Sequence, residues 1–349
     1  MIESRHFGRD RFIASAVVLV AAIPSGCGSV PAVPRDCFTY WLLDQQSDEG
    51  WWTSEVDRAE PSVRVTALAV LERFSVGLDA EAFVDANPSC GGQRPRLREC
   101  ISRALHWLID IQEPPGWFRC NRRGADRAWL VDHVMATCAM TEAMRFMHAS
   151  VPPHCVENAI RRLETSLAGR LYRAESDPPD PELWLWCEWL ARSLRSEERV
   201  SPSYVSAELA GALSATVAEM ARRSRIELRS DELSDRGKSA LSLYNSLTER
   251  EHEPPPDDWV RDPLRDPLLT LYSLCYLWRE SAPGFVESSE AVSKWILAAE
   301  FRTASSAGYW ASVGDPIMTD GAEGTSAVAA MILTVCFRWN PLFPMLCFD

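Results

Sequence analysis

Gln46-Ser47-Asp48-Glu49-Gly50-Trp51-Trp52 and Gln112-Glu113-Pro114-Pro115-Gly116-Trp117-Phe118 carry the same phrase: Gln, three residues, Gly, two aromatics. The Gln and Gly positions recur at an interval of 66. Each phrase follows an amphipathic stretch ending in branched apolar residues, Trp41-Leu42-Leu43-Asp44 in one case and Trp107-Leu108-Ile109-Asp110 in the other. After a polar stretch each is followed by an apolar segment rich in Thr, Ala and Leu: Val65-Thr66-Ala67-Leu68-Ala69-Val70-Leu71, then Ala136-Thr137-Cys138-Ala139-Met140. A repeated unit of helix, turn and helix buries its apolar faces only against neighbouring copies, so the repeat decides the architecture before any site is considered.

The pattern resembles the QW repeat of the terpenoid cyclase and protein prenyltransferase superfamily, the prenyltransferase/squalene oxidase repeat. The resemblance implies that the Gln caps a helix end and stacks against the Trp of its turn, a structural role that points to a fold and not to a reaction. A weaker copy runs from Val292-Ser293-Lys294-Trp295-Ile296-Leu297 to Gly308-Tyr309-Trp310 and Thr325-Ser326-Ala327-Val328-Ala329-Ala330-Met331, with Glu300 or Arg302 where Gln is expected. The closing Cys336-Phe337-Arg338-Trp339-Asn340-Pro341-Leu342-Phe343 is similar to the ending of small bacterial members. The resemblance covers most of the chain, clear in two repeats and eroded in the others.

Apolar periodicity near 3.6 predicts helices at about 11–23, 36–46, 62–76, 97–112, 130–147, 154–168, 182–195, 203–223, 236–250, 265–280, 289–301 and 323–338. Strand-like alternation is nearly absent. Twelve helices suit an all-α (α/α)6 toroid, and a single domain spanning 1–349 is expected, with residues 1–26 either part of it or a signal segment. The alternation of outer and inner helices loses phase between 196 and 260, where Gln/Gly/Trp turns are missing. Long polar or Pro-rich links at 77–96, 120–127, 177–182, 249–266 and 301–324 fall between helices, where repeat proteins place their insertions.

The 349 residues are 46% hydrophobic with a net charge of −13, which argues against nucleic acid or an anionic lipid surface as partner. Fourteen Trp imply an aromatic-lined cavity or a Trp-rich core. Eleven cysteines include no CxxC pair, which removes the usual zinc and redox spacings, and Cys138, Cys187, Cys275 and Cys336 sit in apolar helical runs as small buried hydrophobes. Reduced thiols in a cytoplasmic protein follow. The N-terminus leaves two readings open. Residues 12–23 form an uncharged run behind Arg5, Arg9 and Arg11, with Cys27 following Ser25-Gly26 as in a lipoprotein signal. Pro24, Glu3 and Asp10 oppose that reading, and Ile13-Ala14-Ser15-Ala16-Val17-Val18-Leu19 reads like the inner helices further on. The run is too short to span a membrane permanently.

Class II cyclases of the resembled superfamily protonate an alkene with a DxDD motif at the mouth of an inner helix. This chain has no DxDD; its nearest counterpart is Asp180-Pro181-Glu182-Leu183, entering Trp184-Leu185-Trp186-Cys187-Glu188-Trp189. A strong acid beside a second carboxylate suits carbocation initiation, and Trp faces stabilise cations. The competing reading makes Asp180 an N-cap and Glu182 a first-turn acid around Pro181 at the first helical position. Protein prenyltransferases hold zinc with Asp, Cys and His. Asp132, His133 and Cys138 are the local counterpart, but a spacing of five between His133 and Cys138 chelates poorly, so Asp132 reads as an N-cap and His133 as a rim residue. His154-Cys155 lacks further ligands. Cys90-Gly91-Gly92-Gln93 has the Cys-to-Gln spacing of the thioester in complement-like toroid domains, and reads more simply as a Gly-rich turn.

The expectation is a terpenoid cyclase-like protein acting on or binding an isoprenoid or other lipophilic ligand in an aromatic central cavity. Asp180 and Glu182 are the candidate acids; Trp129, Trp184, Trp186, Tyr272 and Tyr276 are the candidate walls. Gln46, Gly50, Trp52, Gln112, Gly116 and Trp117 are the structural repeat. The alternative is a non-catalytic toroid that binds a protein or small ligand. No metal, cofactor or membrane span is expected.

Overall fold

The computed structural model describes residues 42, 45–54, 57–76, 94–118, 128–147, 151–173, 181–197, 205–227, 258–261, 263–264, 270–271, 273–274, 284–299, 301–302, 308–309 and 322–337. Helix accounts for 82% of them, which makes the class all-α. The elements are β1 (Trp52–Ser54), β2 (Asp57–Ser62), α1 (Val63–Val76), α2 (Arg94–Asp110), β3 (Gln112–Glu113), β4 (Trp117–Phe118), α3 (Ala128–Met147), α4 (Pro153–Arg173), α5 (Pro181–Glu197), α6 (Ala207–Glu227), α7 (Asp258–Arg261), α8 (Gly284–Ala299), β5 (Phe301–Arg302), β6 (Gly308–Tyr309) and α9 (Ala322–Phe337).

The long helices are of two kinds. In α1 residues 63–75 are all buried, in α3 residues 130–144, and in α9 residues 324–333 apart from a half-buried Ala330. A helix apolar on every face is an interior helix. The second kind is buried along one stripe. In α2 the stripe is Cys100, Ile101, Ala104, Leu105 and Leu108; in α4 it is Cys155, Val156, Ala159, Ile160, Leu163 and Leu167; in α6 it is Leu209, Ala210, Leu213, Val217 and Met220. Steps of three and four put those side chains on one face.

From α1 to α4 the two kinds alternate along the chain. α9 lies against α1, α1 against α3, and α3 against α5, while α4 packs on α3 and on α6, α6 on α5, and α8 on α9. Thr-rich sequences tolerate such burial because Thr137 and Thr141 donate their hydroxyls to the carbonyls four residues earlier, at 2.7 and 2.8 Å. Caps begin two of the helices: Ser62 Oγ accepts the Val65 N–H at 3.2 Å, and Ser206 Oγ accepts the Leu209 N–H at 3.3 Å. Pro181 is the first residue of α5, where its missing N–H costs nothing.

Among the described residues three antiparallel hairpins lie between helices, β1 with β2, β3 with β4 and β5 with β6. They are the strand content of a chain whose sequence shows almost no strand-like alternation. The strands are two to six residues long and β2 is largely polar, so no apolar alternation marks them in sequence. They also shorten helices: α2 stops at Asp110 and α8 at Ala299 because Gln112 and Phe301 are already paired as strands. The expected helices at 11–23 and 236–250 lie outside the described residues. So does most of those at 36–46 and 265–280, where Leu42, Thr270, Leu271, Ser273 and Leu274 are helical.

Candidate functional site

The two Gln/Gly turns are fastened in the same way, each to a helix later in the chain. Gln46 Nε2 donates to its own turn at Gly50 O (2.8 Å) and to Cys100 O in α2 (2.9 Å), while Arg103 Nη2 donates to Gln46 Oε1 at 2.8 Å. Gln112 Nε2 donates to Gly116 O (3.4 Å) and to Cys155 O in α4 (3.0 Å). Gly50 and Gly116 have φ of 103° and 113°, and a Cβ on either would stand 2.5 Å from a carbonyl oxygen, that of Arg103 or that of Asn158. The receiving positions therefore repeat as well: Cys100 with Cys155, and Arg103 with Asn158, both 55 apart (155−100 and 158−103). The Gln ties two elements together: Cys100 lies inside α2, and Cys155 lies in the first turn of α4.

At the 66-residue offset Trp52 corresponds to Phe118 and Trp51 to Trp117. Trp52 and Phe118 are buried, Trp51 and Trp117 half-exposed. Trp52 donates Nε1–H to Leu42 O at 2.7 Å, and its backbone N–H goes to Thr66 Oγ1 at 3.1 Å. Trp117 stands edge-to-face on Trp129, centroids 4.2 Å apart at 78°, with the Arg162 guanidinium 4.3 Å from its ring centroid. His133 lies under this group, 5.1 Å from Trp117 and 5.2 Å from Phe118. It is 1% exposed, so it is an interior residue and not the rim residue expected. Nε2 donates to Ala159 O at 3.0 Å, since a carbonyl can only accept, and Nδ1 is left as a buried lone pair without a hydrogen-bond partner. Burial pushes its pKa down to about 4, so the ring is neutral at ordinary pH.

Charges lie between the interior helices. Asp132 is the fifth residue of α3 and not its N-cap; its Oδ1 accepts Arg64 Nε from α1 at 2.6 Å, with both side chains at most 2% exposed. Across the other face of α3, Glu142 Oε1 accepts the Ser193 hydroxyl of α5 at 2.5 Å. Its Oε2 is 3.6 Å from Arg145 Nη1. Burial raises the Glu142 pKa, against the lowering effects of Arg145, Ser193 and Trp189. Trp186 and Trp189 stack 5.2 Å apart at 13°, both fully buried, and Cys138 Sγ–H points to Trp186 O at 3.7 Å.

Of the acids and walls expected from sequence, Asp180, Tyr272 and Tyr276 lie outside the described residues. Glu182 and Trp184 belong to the first turn of α5, with side chains outside the described set. Trp129 and Trp186 are placed by the contacts above. Cys90 to Gln93 are outside the described residues, His154 is exposed, and Cys155 is buried with its carbonyl engaged by Gln112. Among the described residues no three His, Cys, Asp or Glu side chains gather as a metal site, and no helix is long and apolar enough to cross a membrane. Glu142 and Arg64 were missed by sequence reading. The signal was there: each is a charge inside a helix whose neighbours are Thr, Ala, Val and Met.

No protein-family model matches the chain, and neither a curated protein nor a solved structure matches it significantly.

Proposed function

We propose that the chain is an α/α toroid of the terpenoid cyclase and prenyltransferase type that binds or transforms an isoprenoid or other lipophilic ligand at its centre. One observation supports the reading: α9, α1, α3 and α5 pack side by side in that order, with α4 and α6 against α3 and α5 and α8 against α9, and the Gln of each Gln/Gly turn binds a carbonyl of a later helix. In this reading Glu182 is the proton donor, Asp180 its positioning partner and Trp184 a cation-stabilising wall. Incubation with prenyl diphosphates, squalene and related polyenes, followed by product analysis, tests this. Turnover that Glu182→Gln abolishes supports the assignment; turnover that survives it removes Glu182 as donor.

The non-catalytic toroid is the second reading, favoured by the missing DxDD. Binding of the same polyenes without turnover supports it. We place the protein in the cytoplasm; Cys100, Cys138, Cys155 and Cys187 are free thiols, in keeping with reduced surroundings. A lipid-bearing N-terminus at Cys27, found by mass spectrometry of protein from its native host, would reverse that placement.

A further inference from the structure

Arg162 is a positive charge that the fastening of the second Gln/Gly turn does not use. The receiving helices α2 and α4 correspond at an offset of 55, so Arg162 stands where α2 has Trp107 (162−107). The first turn is held by the same Gln and Gly contacts with an indole at that position, so the fold needs no guanidinium there. Arg162 lies 4.3 Å from the ring centroid of Trp117, and Trp129 stands edge-to-face against the same indole. All three side chains are half-buried, so the group they form reaches solvent. We propose that this group is a binding site for an organic carboxylate, with Arg162 taking the acid and the two indoles its apolar body.

Among the described residues no carboxylate pairs with Arg162. Its neighbours three and four places away along α4 are Asn158, Ala159, Thr165 and Ser166, none of them acidic. Of the acids on α4, Glu157 is held by Arg161 at 2.8 Å and Glu164 accepts the Thr216 hydroxyl at 3.4 Å. Arg162 Nε is buried without a hydrogen-bond partner. In a chain with 49 Asp and Glu to 36 Lys and Arg, an arginine left without a carboxylate is the exception. His133, beneath the rings, gives Nε2–H to Ala159 O and is neutral, so the group carries one positive charge. A guanidinium fork meets a carboxylate with two parallel donors, and one charge balances one charge. A phosphate dianion wants more donors than one arginine presents. Indoles with exposed faces add the wall that holds an aromatic ring beside the acid. The site rests on β3, β4, α3 and α4, and on no assumption about a polyene.

Isothermal titration calorimetry of the full chain with phenylacetate tests the site. The comparisons are 2-phenylethanol, the same body without the charge, and phenyl phosphate, a similar ring on a dianion. Phenylacetate is expected to bind once per chain, about tenfold or more tighter than 2-phenylethanol, as a charge-assisted pair of hydrogen bonds implies. Arg162→Gln should remove that preference, and Arg162→Lys, which keeps the charge and loses the fork, should restore part of it. Absence of phenylacetate binding, equal affinity for acid and alcohol, tighter binding of phenyl phosphate, or an unchanged preference in Arg162→Gln overturns the proposal. If the variant does not fold, the unaltered protein is labelled with phenylglyoxal, an arginine reagent, and its peptides are mapped by mass spectrometry. Protection of Arg162 by phenylacetate and not by 2-phenylethanol supports the site; equal labelling with and without the acid overturns it.

Discussion

Gly116 has no room for a side chain. Its φ of 113° belongs to the left-handed region, and a Cβ there would press on Asn158 O at 2.5 Å, a backbone atom that cannot swing aside. Gly116→Ala should therefore cost about 1–3 kcal/mol in backbone strain alone, more with the clash, and lower the thermal midpoint accordingly. His133 gives a pH signature at the same scale. Its folded pKa lies at about 4, below the ordinary 6.5, so its contribution is fully present above 6.5 and is lost as pH falls toward 4. The full loss is about 3 kcal/mol. Denaturant unfolding of the parent against His133→Gln should show that slope in the parent and its absence in the variant. The residue scale also separates what sequence could show from what it could not. Gln46, Gly50, Gln112 and Gly116 are legible because their side chains, or lack of one, do the work. Their partners at 100, 155 and 158 are not, because they act through backbone carbonyls, which any residue can supply; Arg103 adds its guanidinium to its carbonyl, but nothing in the turn marks it.

Between elements, the ion pair of Arg64 and Asp132 is the strongest single statement about how α1 meets α3. Both side chains are withdrawn from water, so each needs the other. Asp132→Leu alone should destabilise by about 3–5 kcal/mol because it removes the carboxylate that faces a buried guanidinium. Adding Arg64→Met should recover most of that, since an apolar pair of similar volume needs no solvation. A double-mutant cycle measured by chemical denaturation checks both figures. The same chemistry explains why neither Asp132 nor Glu142 declared itself in sequence. A Glu or Asp within a helix ordinarily marks the solvent side, and α3 has no solvent side over residues 130–144. His133 was misread for the same reason: its neighbour Asp132 suggested a helix start, whereas α3 begins four residues earlier, at Ala128.

On the scale of the molecule, helix positions were the legible part, because α1 to α6, α8 and α9 each carry a pattern long enough to read. The hairpins were not, since two paired residues leave no periodic trace. Which helix touches which was legible only through the repeat, and there the contact of α9 with α1 stands apart, as it joins segments near opposite ends of the described chain. Removing residues 322–349 should uncover a face of α1 that is wholly buried and turn a monodisperse protein into an aggregating one, seen by light scattering after expression.

That contact also sets a schedule for synthesis. α1 leaves the ribosome with all its faces apolar or in need of a buried partner, and one of those faces waits for α9, 246 residues further on (322−76). At about 5–20 residues per second the wait is on the order of ten seconds to a minute. Throughout it the nascent chain shows an apolar strip that any other hydrophobic surface could occupy. Pairing across so long a separation is also intrinsically slow, because the loop entropy is spent before the contact rewards it. The seam between α9 and α1 is thus the place where this chain is most exposed to misassembly, and where a chaperone that shields apolar helices would matter most.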